Sequence, residues 1–405
     1  RVINGFSTEK IGAMLISEKK TELLKKYSET NSETFCGGLF LSARWFVVSQ
    51  VADRGVQLIV LPDKDSAEYC AADLYTLVSG DSVFFLPDSG KNVVRSNYKA
   101  SLGVQRTSAV GSILSSQDDS SVLYVVTYPD AMDEPIPERT RISGALMTLK
   151  KGETVRYDSI QEALFSAGFT KSDFVSAPGQ FAMRGSIIDI FSYSYNNPFR
   201  ISFFGDEIEK INVFDCNTQL SKEEREKAEI FPDIIADEDD NAGCAYISDI
   251  LPEGTTVWLD SSDVYKERTF FPMLERFKRI YIDTPLAKKG EEDVKFSIVP
   301  QPVFNKNFEL LTEDIRSKTE KGYRFYIYSE KETQADRLRS ILYQNNGVMP
   351  EFITGASIHR GFIDNDDRIC CYTDHEIFDR FHRVTMRRSV EKSEQLTLND
   401  LSSFN

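Results

Sequence analysis

Between Phe181 and Asp215 the chain alternates apolar and polar residues with a period of two, interrupted by short polar turns. It reads as strand, turn, strand, turn, strand. The middle strand is Phe199-Arg200-Ile201-Ser202-Phe203-Phe204. A pleat puts Phe199, Ile201 and Phe203 on one face and Arg200, Ser202 and Phe204 on the other. A sheet with a core on one side should be polar on its outer side. Phe204 breaks that rule two pleats from an arginine, and Arg184 lies on the preceding strand. Just upstream, "YDSIQEALFSAGF" has the spacing of a short helix. Ser159 with Glu162 predicts a capping box, and Gly168 predicts its C-terminal stop. Residues 149–240 therefore read as an α+β module with an antiparallel sheet.

The flanks have another pattern. In residues 1–148, "WFVVSQ", "VQLIVLP" and "SSVLYVVTYPDAM" are short apolar runs suited to buried parallel strands. "SAEYCAADLYTLV" between them reads as a helix. Residues 241–382 repeat the style, with strands expected at "TTVWLD", "RIYID", "RFYIYS" and "RICCYTD". A helix is expected in "KETQADRLRSILYQN", its stripe formed by Ala335, Leu338, Ile341 and Leu342. Alternating strands and helices predict an α/β fold on both sides of the module. The acidic stretch "IADEDDNAGC" is the expected boundary, and residues 383–405 read as a polar linker toward a further domain.

Composition narrows the function. The chain has 405 residues, 41% of them hydrophobic, and a formal net charge of −15. That length allows two to three domains. The acidic balance argues against nucleic-acid binding by the chain as a whole and fits a protein that meets protein partners. No apolar run is long enough to span a membrane and no signal peptide is evident, so a cytoplasmic location is expected. The six cysteines are scattered and predict reduced thiols. The first residue is Arg1, and a portion of a longer protein is expected.

"GGLFLSARWFVVSQ" sits where an α/β domain would carry a phosphate loop, G-x-x-x-x-G-K-[ST]. Counted from Gly38, the second glycine is Ala43, the lysine is Arg44, and the hydroxyl residue is Trp45; Ser42 precedes them. The glycine that lets backbone wrap phosphate, the neutralising lysine and the magnesium-binding hydroxyl are all replaced. An ordinary loop and a decayed phosphate loop both predict no ATP hydrolysis, so no catalytic residue is assigned. The histidines are His359, His375 and His382; "CCYTDHEIFDRFH" gathers Cys370, Cys371, Asp374, His375 and Glu376, but adjacent cysteines rarely share a metal, and no metal site is expected. Arg380, Arg383, Arg387 and Arg388 read as a solvated linker or helix. The Arg200/Phe204 face remains the strongest signal. Its alternatives are a helix of the same domain that covers Phe204, or a protein-binding surface anchored by arginine and phenylalanine. The second predicts that truncating these side chains leaves folding almost unchanged.

"GQFAMRGSIIDIF" followed by "PFRISFFGDEIEKINVFDCNTQLS" resembles the second domain shared by the excision-repair protein UvrB and the transcription-repair coupling factors (Mfd). "LKKGETVRYDSIQEALFSAGF" and the tail "RRSVEKSEQLTLNDLSSFN" are similar to the coupling factors rather than to UvrB. The resemblance implies helicase-like α/β domains with a degenerate nucleotide site around a small domain that binds UvrA. It carries UvrA contacts onto Arg184, Arg200 and Phe204. It further implies that ATP, magnesium, DNA and RNA polymerase belong to domains outside this chain. Two departures stand out: Ser192 where relatives often have Pro, and Leu220 where they often have Arg. A UvrB-type excision subunit and a non-repair regulatory α/β protein are the competing readings.

Overall fold

The computed structural model describes residues 15–78, 80–90, 96–116, 121–137, 147–193, 197–216, 218–231, 244–260, 264–282 and 293–380. The expected acidic boundary, His382, Arg383, Arg387, Arg388 and the linker 383–405 lie outside them. The chain divides into two compact units, one built from residues 1–85, 116–129 and 252–386, the other from 86–115, 130–251 and 387–405.

The first unit holds a seven-stranded sheet in the order Val294–Lys295, Glu33–Gly37, Lys278–Ile282, Thr256–Asp260, Gly55–Val60, Val122–Thr127, Val83–Phe85. All its pairings are parallel. Its central strands are buried along nearly their whole length, as the continuous apolar runs imply. Two strands expected in a separate domain at 241–382, Thr256–Asp260 and Lys278–Ile282, instead complete this sheet. The boundary drawn at residue 148 is therefore crossed. An apolar run reports that a strand is buried, not which strand it pairs with. A second sheet of five strands follows, in the order Ile298–Pro300, Phe362–Asp364, Ile369–Thr373, Arg324–Ser329, Glu351–Thr354. Against it the helix Glu332–Gln344 buries Ala335, Leu338 and Leu342, with Ile341 partly buried beside them.

One expectation in this unit is corrected. "WFVVSQ" is not a strand; it lies within the helix Ala43–Val51. Trp45, Phe46, Val47, Val48 and Val51 are all buried, so the helix is covered almost all round. Such a run has no apolar stripe, and periodicity cannot separate it from a buried strand.

The second unit is dominated by a six-stranded sheet in the order Ser221–Arg225, Glu207–Phe214, Phe199–Phe204, Ile187–Ile190, Gln180–Arg184, Thr170–Lys171. All pairings are antiparallel except the last. The stretch read as three strands contains four, because Gly185 turns the chain back with φ +59° between Arg184 and Ile187. Arg184 thus stands two strands from Arg200, with Ile187–Ile190 between. One sheet face packs Phe181, Ile188, Ile190, Phe199, Ile201 and Phe203 against Ile160 and Leu164 of the helix Tyr157–Ser166.

That helix ends as predicted. The N–H of Gly168, at φ +83°, donates to Phe165 O, and that of Phe169 donates to Leu164 O. The buried Leu164 and Phe169 side chains close this Schellman motif. The capping box does not form. Arg156 is the N-cap and has no side-chain cap, and the Ser159 hydroxyl donates to Arg156 O instead.

Candidate functional site

The opposite face of the six-stranded sheet carries the expected residues. The backbone register places Ala182, Asp189, Arg200 and Asn212 in one row across four strands. Asp189 is 1% exposed and lies between the two arginines. Its Oδ1 accepts from Arg200 Nε at 2.7 Å and its Oδ2 from Arg200 Nη2 at 2.9 Å. Arg184 Nη2 also donates to Oδ2. Burying a carboxylate alone would be prohibitive, and this charge is stable because two guanidiniums enclose it.

Arg200 is fixed from the other side as well. Its Nη1 donates to Gln219 O at 3.2 Å and its Nη2 to Gln219 Oε1 at 2.8 Å. Its plane lies 4.1 Å from the centroid of the Phe214 ring. The Asp189 carboxylate holds this guanidinium above its ordinary pKa, with burial opposing. Gln219 adopts φ +60° at the turn that delivers both acceptors. Arg184 is looser, and its guanidinium sits 4.8 Å from the centroid of the Phe174 ring. Phe204 is 79% exposed at the end of its strand, so the alternation rule placed it correctly. Phe174 and Leu220 are exposed as well. The face therefore offers exposed aromatic side chains, Phe204 and Phe174, with a half-neutralised basic pair.

Alternation singled out Arg200 and Phe204, the resemblance added Arg184, and all three were expected as free surface groups. The structure corrects this for both arginines, which bond the buried Asp189, Arg200 being the more buried of the two. Asp189, Phe174, Phe214 and Gln219 were missed. One signal was available: a lone Asp inside the apolar run "SIIDIF" must have a cationic partner if that strand is buried.

The altered phosphate loop lies in the first unit. The strand Glu33–Gly37, a loop and the helix Ala43–Val51 form the strand–loop–helix arrangement such a loop would need. Nothing else about it suits phosphate. A Cβ on Gly38 would stand 2.3 Å from Phe296 O, so the glycine serves a close backbone approach. Arg44 donates to Asp260 Oδ2 at 2.5 Å and lies over Trp45, which is itself buried.

The chain's own segment 357–360 closes over the loop. Arg360 N donates to Ser42 Oγ at 2.9 Å and His359 N to Asp73 Oδ1 at 2.7 Å. The His359 ring stacks on Tyr69 at 3.5 Å. Cys370 and Cys371 are buried in a strand, and Asp374, His375 and Glu376 each bond neighbouring protein groups. Among the described residues, no cluster of three or more His, Cys, Asp or Glu could hold a metal ion.

Burial pushes the Asp73 carboxyl from 3.8 up to about 7, although Ser42 and the His359 N–H pull it down. The unfolded chain therefore loses this proton first, and folding stability from Asp73 falls as pH rises through that interval. Thermal melts of wild type and Asp73→Asn between those pH values should diverge, the wild type losing stability relative to the variant. Parallel profiles would show that Asp73 titrates normally.

Residues 147–234 match the family model of the UvrB interaction domain, which covers the whole arginine–phenylalanine face. The transcription-repair-coupling factor of Escherichia coli (strain K12) is 35% identical over 91 residues, 22% of this chain and 8% of that protein. The one from Bacillus subtilis (strain 168) is 27% identical over 209 residues, 51% of this chain and 18% of that protein. UvrABC system protein B of Chlorobium phaeobacteroides (strain BS1) is 32% identical over 127 residues, 31% of this chain and 18% of that protein. The chain spans less than a fifth of the length of these relatives. Among the described residues no helix is long and apolar enough to cross a membrane. The chain thus carries a UvrB interaction domain and is similar to transcription-repair-coupling factors over about half its length and to UvrB proteins over about a third.

Proposed function

We propose that this chain is a docking module that binds UvrA through the open face of its interaction domain and so serves nucleotide excision repair coupled to transcription. The observation that carries the reading is Phe204, left 79% exposed on a rigid strand beside the Asp189-anchored arginines, inside the matched domain. Arginine and aromatic residues held in place lose little entropy on binding and dominate interface energies. Because residues 147–234 match the UvrB interaction domain, UvrB should compete with this chain for purified UvrA. The test is a competition titration with labelled chain. Displacement by UvrB supports a shared site, and unaltered binding at saturating UvrB contradicts it.

The α/β unit acts as a scaffold in this proposal, without ATP turnover of its own. Arg44 is committed to Asp260, and Ser42 is bonded to the segment 357–360. Isothermal titration with magnesium-ATP should give no binding heat. A micromolar affinity abolished by Arg44→Ala would contradict the scaffold role. The same proposal assigns RNA polymerase, DNA and ATP-driven translocation to other domains of the whole protein, working in the cytoplasm.

A further inference from the structure

We infer that Asp189 gives the two arginines different tasks: Arg184, backed by Phe174, meets a carboxylate of the partner, while Arg200 is a positioning residue. This rests on the UvrA-docking reading above.

The donor inventory separates the two. A guanidinium has five N–H groups in a fixed fork. Arg200 uses four of them, two on Asp189 and two on Gln219, and lays its face on the buried Phe214 ring. Its side chain is 19% exposed. Little of it remains for a second molecule. Among the described residues Arg184 bonds only Asp189, through Nη2, and its side chain is 38% exposed. The remaining N–H groups of Arg184 are therefore available to a partner.

Phe174, 63% exposed, sits against the Arg184 guanidinium. The ring limits the directions this cation can take and adds apolar surface beside it. Asp189 cancels one of the two arginine charges, so the pair offers a partner one net cation, backed by the Phe174 ring. The complementary surface is one acidic side chain next to apolar ones, and not an acidic cluster. On this arrangement Phe174, which lies outside the residues carried over by resemblance, is a contact residue.

The experiment measures UvrA binding of the full chain at two salt concentrations, with thermal melts of every variant. The variants are Phe174→Ala, Arg184→Ala, Phe204→Ala and the double change Asp189→Asn with Arg200→Gln. The double change replaces the buried ion pair with a neutral hydrogen-bonding pair. Phe174→Ala should weaken binding about tenfold without lowering the melting temperature. Arg184→Ala should weaken it about tenfold with a loss of melting temperature smaller than that of Arg200→Ala, because Arg184 makes one of the three hydrogen bonds on Asp189. Arg184→Ala should also flatten the salt dependence, because it removes the cation that pairs with the partner's carboxylate. The double variant should bind more tightly than Arg184→Ala and keep the salt dependence of the wild type.

Two results would overturn the inference: wild-type binding by Phe174→Ala, or a folded double variant that binds as poorly as Arg184→Ala. Should the double variant fail to fold, Phe174→Ala, an exposed truncation, decides alone. A wild-type chain that does not bind UvrA refutes the docking reading itself. Loss of binding in Phe204→Ala with none in Phe174→Ala refutes only the present inference.

Discussion

Arg200→Ala is expected to cost the interaction domain about 2–3 kcal/mol of stability. The substitution removes two of the three hydrogen bonds on Asp189, a carboxylate with almost no access to water. Deleting one partner of a buried ion pair commonly costs about 3–5 kcal/mol. Arg184 survives as a partner, which lowers the figure. The ring of Phe214 and both acceptors of Gln219 also lose their partner. Arg200→Lys should rescue only part, because an ammonium cannot reproduce the bidentate fork. Hydrogen exchange of the amides in Ile187–Ile190 and Phe199–Phe204 would report the loss locally. Exchange rates equal to wild type would show that Asp189 does not depend on Arg200. The sequence alone predicted the opposite, since alternation shows which face a residue takes but not what it touches there.

Phe204→Ala should weaken UvrA binding by about 2 kcal/mol or more, roughly thirtyfold, while leaving the melting temperature unchanged. The two effects separate because Phe204 is the least buried large apolar side chain on this face, and its loss opens no cavity. Its strand neighbours Phe199, Ile201 and Phe203 hold the core and would behave in the reverse way. A drop of many degrees in Phe204→Ala would mean that the side chain supports the fold. Unchanged affinity in a folded variant would place the UvrA contact elsewhere.

Much of this was legible in the residues, and the failures have common causes. A period of two depends only on the pleat, so the two faces of Phe199–Phe204 could be read directly. Gly168 marked a helix end because only a residue tolerant of positive φ fits there. The helix Ala43–Val51 was illegible because burial all round erases its period. The completion of the seven-stranded sheet by Thr256–Asp260 and Lys278–Ile282 was illegible for another reason. Strand pairing across the inserted interaction domain is a long-range choice that no local pattern encodes. The role of Asp189 depended on both limits, since its partners lie five and eleven residues away on different strands.

The central claim is tested most directly by titrating this chain into purified UvrA by calorimetry at physiological salt. The account predicts saturable binding by the wild-type chain, with affinity reduced roughly thirtyfold by Phe204→Ala at unchanged thermal stability. A folded wild-type chain that gives no saturable binding, or a Phe204→Ala variant that binds as wild type does, would contradict it.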